Sequence, residues 1–237
     1  MTMAFDPVLM IMQPRQIDEA VNSLKENIDI PKVWFQAYTE PQVMAEMNKF
    51  VKESNFSHYI VMSDDGIVSK KAADTILKYG EKISYKEVFT GWMNMHIEDD
   101  GRLSTISTVS QGHLPQILEY EKGPMRNEYP PWLPVEWVRN QEGMIRTKMA
   151  NFAMSIARRE MFLDFPLMTW PNGKSSDHHW SFRLQQSGVA VWTHPDAFIK
   201  HLRRGWTPLI HNWLVGYVKP ETIYEAKWRS REHYEEK

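Results

Sequence analysis

The feature that most constrains this chain is a threefold alternation of short apolar runs with amphipathic helical patterns over its first third. "VLMIM" (Val8 to Met12) is unbroken by any polar residue, as in a strand buried on both faces. "QIDEAVNSLKENI" follows, with Ile17, Ala20, Val21, Leu24 and Ile28 on one helical face. "KVWFQAY" (Lys32 to Tyr38) predicts a second strand and "TEPQVMAEMNKFVKES" a second helix. Thr39 caps that helix, Gln42 stands three residues on as in a capping box, and Pro41 suits the first turn. "HYIVM" and "KKAADTILKYGE" repeat the unit, with Val68, Ala72, Ile76 and Tyr79 buried and Gly80 expected at C′. Such alternation requires a parallel sheet with right-handed crossovers and helices on its faces.

The pattern then changes. Glu87 to Ser107 predicts two antiparallel strands around an Asp99-Asp100-Gly101 turn. From Thr108 to Met149, five prolines (Pro115, Pro124, Pro130, Pro131, Pro134) break any long element, and aromatic residues such as Tyr120, Trp132 and Trp137 are interspersed. Such a stretch is either a binding loop or lid, or an irregular cover for the sheet. Regularity returns with "ANFAMSIARREMF", the helix "DHHWSFRLQQSG" ending at Gly188, and the strand "VAVWT". The chain shows no internal repeat and no linker, so one domain is expected.

Composition narrows the class. At 237 residues, 42% of them hydrophobic, the chain can bury one large core. A net charge of −2 excludes a dedicated nucleic-acid binder. The absence of cysteine removes disulfides, thiolate metal sites and thiol nucleophiles together. Apolar runs fall far short of the roughly 18 residues a membrane span needs, and Asp6 and Pro7 interrupt the N-terminus before any signal-like run. A cytoplasmic protein is the expectation.

Three polar sets bear on chemistry. In "HYIVMSDDGIVS", Asp64 and Asp65 close an apolar strand. Like charges there repel unless a cation or donors lie between them. Either Asp-Gly forms a turn, with Gly at positive φ, or the carboxylates hold a divalent cation at the strand end, where open α/β sheets bind ligands. In "SSDHHW", Asp177 is either a helix N-cap or a general base facing a cleft, while His178 and His179 point about 100° apart and suit packing better than one shared metal. In "HPDAFIKHLRRG", Lys200, Arg203 and Arg204 form a basic cluster suited to a diphosphate, and His194 and His201 flank an apolar turn.

Taken in order, "YIVMSDDGIVS", "FAMSIARREMF" and "SSDHHWSFRLQQSGVAVWTHPDAFIKHL" resemble the GT-A nucleotide-sugar glycosyltransferases, closest to the family-2 type. Asp177, Arg183, Leu184 and Gly188 match that family's helix pattern, and His201 its final position. The resemblance spans about residues 5 to 205. It implies an α/β GT-A fold: a mostly parallel central sheet flanked by helices, with a smaller antiparallel acceptor-side portion. Residues 1–107 would be the nucleotide-sugar half and 108–205 the acceptor side, with 206–237 an extension.

The resemblance also implies roles. Asp65 and His201 would hold Mn²⁺ or Mg²⁺ on the nucleotide diphosphate, and Asp64 would contact the ribose or donor sugar. Gln13, Pro14, Arg15, Tyr38 and Glu40 would contact the nucleotide, and Arg203 and Arg204 the diphosphate. Asp177 would be the base that activates the acceptor hydroxyl, and Trp170 would line the acceptor side with Asn172. The donor would be a UDP- or GDP-sugar, and the acceptor a glycan, protein or lipid-linked hydroxyl, with inversion at the sugar. One departure matters: Ser63 stands where the family's signature often has Asp. A hydroxyl is a poorer ligand for a hard cation, which implies weaker metal binding or greater reliance on His201.

Other classes stay open on sequence alone. A phosphohydrolase would draw on Asp177, His178, His194 and His201, and a sugar-binding module on the aromatic Tyr129 to Trp137 region. A nucleotidyltransferase would want a glycine-rich loop after the first strand, and "MIMQPRQID" has no glycine. The C-terminal segment with Trp206 and Trp213 either docks on the core or a second subunit, or lies on a membrane surface.

Overall fold

The computed structural model describes residues 4–13, 17–36, 39–94, 106–112, 132–170, 176–201 and 227–229. The expected first half is there. Strands β1 (Pro7–Gln13), β2 (Lys32–Gln36) and β3 (His58–Ser63) run parallel, with helices α1 (Asp18–Asn27) and α2 (Glu40–Glu53) as the crossovers. Helix α2 starts as its sequence predicts: the Gln42 side chain accepts the Thr39 N–H at 3.0 Å and the Thr39 hydroxyl at 2.9 Å. After β3 come the short strand β4 (Gly66–Val68) and helix α3 (Lys70–Gly80), whose Ser69 hydroxyl accepts the Ala72 N–H.

The remaining elements are β5 (Glu87–Phe89), β6 (Ile106–Ser110), β7 (Trp132–Pro134), α4 (Val135–Arg139), β8 (Ile145–Thr147) and β9 (Ser155–Arg158). They continue with α5 (Arg159–Asp164), α6 (Ser176–Gln186), β10 (Ala190–Thr193), β11 (Ile199–His201) and β12 (Lys227–Arg229). Among the described residues one eight-stranded sheet has the order β12-β2-β1-β3-β9-β5-β10-β8. Strands β2, β1, β3, β5 and β10 point one way, and β12, β9 and β8 the other. Two small antiparallel sheets, β11-β4 and β6-β7, stand beside it.

The unbroken apolar run of β1 follows from burial on both faces. Leu9 and Ile11 join Leu24, Ala72 and Ile76 from α1 and α3 in one core. Val8, Met10 and Met12 join Val43, Met47 and Trp180 from α2 and α6 in the other. Each fully buried side chain of this size contributes about 1.5–3 kcal/mol. Trp180 anchors α6 by stacking on Phe162, with ring centroids 5.2 Å apart.

Two local expectations are corrected. Glu87–Phe89 does not form a hairpin with the segment near Ser107; Val88 and Phe89 are fully buried, and the strand inserts between β9 and β10. The described antiparallel pairing near Ser107 is the isolated Asn94–Ser107 bridge, beside which the Thr108 N–H donates to the Met93 carbonyl at 2.8 Å. The Asp99-Asp100-Gly101 turn lies outside the described residues. Second, Gly80 is the last residue of α3 and not a left-handed C′ residue: a Cβ there would sit 2.5 Å from Ile156 Cδ1, so glycine lets the helix end lie on the sheet. Where it is described, the Thr108–Met149 stretch carries the end of β6 and the short elements β7, α4 and β8, none longer than five residues. Of the C-terminal extension, Lys227–Arg229 adds an antiparallel edge strand to β2. No described helix is long and apolar enough to cross a membrane.

Candidate functional site

The carboxyl ends of β1 and β3 carry the first cluster. Register pairs Met12 with Ser63, so Gln13 and Asp64 both lie just beyond it, and both are buried, at 2% exposure each. Asp64 and Asp65 form a turn into β4, so the turn reading and the strand-end reading both hold locally. Gly66, however, is not there for positive φ, which among described glycines occurs only at Gly143 and Gly188. A Cβ on Gly66 would sit 2.7 Å from Ile199 Cγ2 and from Met62 Cε, so glycine lets β11 close over β4.

That closure is what builds the cluster. In the β4–β11 register His201 lies opposite Gly66. His201 Nε2 comes to 3.3 Å from Asp65 Oδ2, although the residues are 136 apart in sequence. The Ser63 hydroxyl donates to the other carboxylate oxygen, Asp65 Oδ1, at 2.6 Å. Ser63 N–H in turn donates to the Phe152 carbonyl at 3.0 Å. Phe152 is held by Asn151, whose Oδ1 accepts the Ala153 N–H and whose Nδ2 donates to Thr108. Ser63 therefore orients Asp65. The Asp65 and His201 side chains are 14% and 19% exposed, reachable but shielded.

The pair fits a divalent cation as two adjacent ligands. Bonds of about 2.1 Å at right angles place donor atoms roughly 3 Å apart. Among the described residues no group of three or more His, Asp or Glu is arranged to hold an ion. The donor set therefore suits a cation that takes its other ligands from substrate phosphates and water, as Mg²⁺ and Mn²⁺ do. His201 Nδ1 is buried and makes no hydrogen bond, so the outer partner that usually orients a ligating imidazole is missing here.

The second cluster joins two helix starts. Glu40, expected at the nucleotide, is instead buried against α6: it is the first residue of α2, is 5% exposed, and its Oε1 accepts the Ser176 N–H at 2.8 Å and the Ser176 hydroxyl. Burial pushes the Glu40 carboxyl up to about 7, with the Asp177 charge adding to the rise and the Ser176 bonds opposing it. Asp177 is the second residue of α6 and is half-buried. Its Oδ1 accepts the N–H of His178 at 2.8 Å, so it lies one position inside the helix rather than at the cap.

The remaining residues fall around these clusters. Trp170 meets His179 edge-to-face at 4.6 Å and Phe182 at 5.5 Å, on the flank of α6. His178 is buried, 6.5 Å from the Trp132 ring, and burial lowers the His179 pKa. Both histidines pack, as expected. His194 stacks on Tyr79 at 5.1 Å. Lys200 is exposed on β11. Pro14, Arg15, Tyr38, Asn172, Arg203 and Arg204 lie outside the described residues. Sequence reasoning missed the Glu40–Ser176 link entirely; the one available hint was the pairing of an acid at one helix start with a serine at another.

No family model and no curated protein matches the chain. Solved structures do. One is the crystal structure of GalNAc-T7 with UDP, GalNAc and Mn²⁺, matched with a TM-score of 0.57 at 9% identity. The match covers 90% of this chain and 47% of the other, so the chain spans about half the length of that structure. Another is A197 from STIV, with a TM-score of 0.46 at 9% identity over 85% of this chain and 96% of that one, a likeness on which no argument rests. At such identity the likeness establishes fold alone: the chain has a GT-A-like α/β fold, with a mostly parallel central sheet flanked by helices.

Proposed function

We propose that this protein is a glycosyltransferase that moves a sugar from a nucleoside-diphosphate sugar to an acceptor hydroxyl, with inversion and with a divalent cation. The observation that carries the reading is the Asp65–His201 pair, 3.3 Å apart at the carboxyl edge of the parallel strands. Asp65 and His201 would hold the cation, which as a Lewis acid neutralises the charge of the leaving diphosphate. Ser63 keeps Asp65 turned toward His201. Asp64 and Gln13, at adjoining strand ends, would meet the donor, with Pro14, Arg15 and Tyr38 on the nucleotide and Lys200, Arg203 and Arg204 on the diphosphate. Asp177 would take the proton of the acceptor hydroxyl as its oxygen bonds to the anomeric carbon and the sugar–diphosphate bond breaks. One displacement with one carboxylate base inverts the centre. Trp170, packed on His179 and Phe182 of α6, would line the acceptor side.

The GalNAc-T7 structure contains UDP and Mn²⁺, which makes UDP-sugars the first donors to try. The phosphohydrolase reading gains no support from the geometry, because among the described residues no three His, Asp or Glu side chains are grouped to hold a metal ion. The test is release of nucleoside diphosphate from a panel of UDP- and GDP-sugars with Mn²⁺, Mg²⁺ or EDTA. Metal-dependent cleavage of one donor, lost in Asp65→Ala and in Asp177→Ala, is the expected result. Cleavage that survives EDTA and both substitutions would sink the reading.

A further inference from the structure

Glu40 has a setting unlike that of the strand-end carboxylates. It is 5% exposed and bonded to the first residue of another helix, whereas Asp65 and His201 lie partly open. Its partner Ser176 is the first residue of α6, and the Ser176 N–H is among the amides that a helix start leaves without an intrahelical acceptor. A carboxylate from α2 thus does the work of a cap on α6. Ser176 is itself 1% exposed, so no water substitutes freely for that acceptor.

The next residue is Asp177. Its Oδ1 is tied to the His178 N–H, so the direction of its carboxylate follows the backbone of this same turn. Further along, Trp180 and Leu184 are fully buried and fix the body of α6. Its first residue is fixed by Glu40, whose own backbone is set by the Thr39–Gln42 capping bonds. A chain of named contacts therefore runs from the end of β2 to Asp177.

We infer that Glu40 is a positioning residue for Asp177: by holding Ser176 it fixes the first turn of α6, and with it the carboxylate that receives the acceptor proton. The inference rests on the transferase reading for what Asp177 does, and on geometry alone for what Glu40 holds. What Ser176 needs is an oxygen acceptor at that reach. An amide oxygen supplies it, a carboxylate one methylene shorter does not, and an alanine leaves two buried donors without a partner. A misplacement of about 1 Å costs up to a hundredfold in rate.

The experiment compares wild type with Glu40→Gln, Glu40→Ala, Glu40→Asp and Ser176→Ala in two assays on the same protein. Amide hydrogen exchange across the first turn of α6 needs no ligand. Donor cleavage with Mn²⁺ over the UDP- and GDP-sugar panel gives kcat and KM. We expect Glu40→Ala to speed first-turn exchange at least tenfold and to lower kcat at least tenfold with KM within twofold. Glu40→Gln should keep kcat and KM within twofold of wild type and should exchange the first turn no faster than wild type. Should Glu40→Ala fail to fold, Glu40→Asp and Ser176→Ala should show the same split at smaller size. Faster exchange with unchanged kcat would overturn the inference, as would wild-type exchange in Glu40→Ala, or a Glu40→Gln as damaged as Glu40→Ala. If wild type cleaves no donor, the transferase reading falls and takes the catalytic half with it. The exchange assay then still decides whether Glu40 holds the turn.

Discussion

Two sides of the candidate site are assembled by opposite means. On the strand side, Asp65 and His201 meet because two three-residue strands, β4 and β11, pair over a glycine. On the helix side, Glu40 and Ser176 meet because the first residues of α2 and α6 touch. The strand side leaves its carboxylate and imidazole partly exposed, with His201 Nδ1 making no hydrogen bond. The helix side buries a carboxyl to 5% exposure and gives one of its oxygens two donors. Partial exposure suits ligands that come and go; burial suits geometry that must not move. On this account the strand side binds the donor and the helix side holds the base.

The largest expected effect separates the two sides. Asp65→Ala and His201→Ala should lose metal-dependent nucleotide binding at least a hundredfold, whereas Asp177→Ala should lose turnover comparably and keep the binding; calorimetry beside the release assay measures both. Loss of nucleotide binding in Asp177→Ala would dissolve the distinction.

Next in size is a pH effect on stability. Glu40 is raised from 4.5 to about 7, so the native state keeps a proton that the unfolded chain has lost; its stabilising contribution is present below pH 4.5 and lost as pH rises through 7. At the far end of β3, His58 is lowered from 6.5 to about 4 by burial and by Arg158. Its contribution has the opposite sense, present above pH 6.5 and lost as pH falls through 4. Glu40→Gln should therefore be more stable than wild type at pH 8, by about 3 kcal/mol, with no difference below pH 4.5. His58→Gln should flatten the acid limb between pH 6.5 and 4. Urea unfolding across pH measures both slopes.

A smaller effect tests the departure at Ser63. The family resemblance leads one to expect that Ser63→Asp strengthens metal binding. The structure adds a second expectation: Ser63→Ala, which removes the hydroxyl that donates to Asp65 Oδ1 and adds no charge, should weaken Mn²⁺ affinity roughly tenfold in calorimetry. Smallest, Gln42→Ala removes the acceptor of the Thr39 N–H and should cost about 1 kcal/mol in thermal unfolding.

What was legible in the sequence was local. The apolar runs and helical faces of residues 8–80 fix strands and helices because both periodicities are short-range, and the Thr39–Gln42 cap is readable because its partners lie three residues apart. The reasons for Gly66 and Gly80 were not legible, because the atoms that demand glycine there, on Ile199 and Ile156, are far away in sequence. The antiparallel insertion of β9 between β3 and β5 has no local sign at all. The Asp65–His201 pair was reachable only through the family resemblance. The Glu40–Ser176 contact, also 136 residues apart, was not reachable, since neither residue type is unusual at a helix start.

The central claim is that Asp65 and His201 hold a cation against a nucleoside diphosphate. Its most direct test is calorimetric titration of UDP, then GDP, into wild type and His201→Ala, with Mn²⁺ or with EDTA. The account predicts binding of one nucleotide that needs Mn²⁺ and is lost in His201→Ala. Equal binding with EDTA, or binding undiminished in His201→Ala, would contradict it.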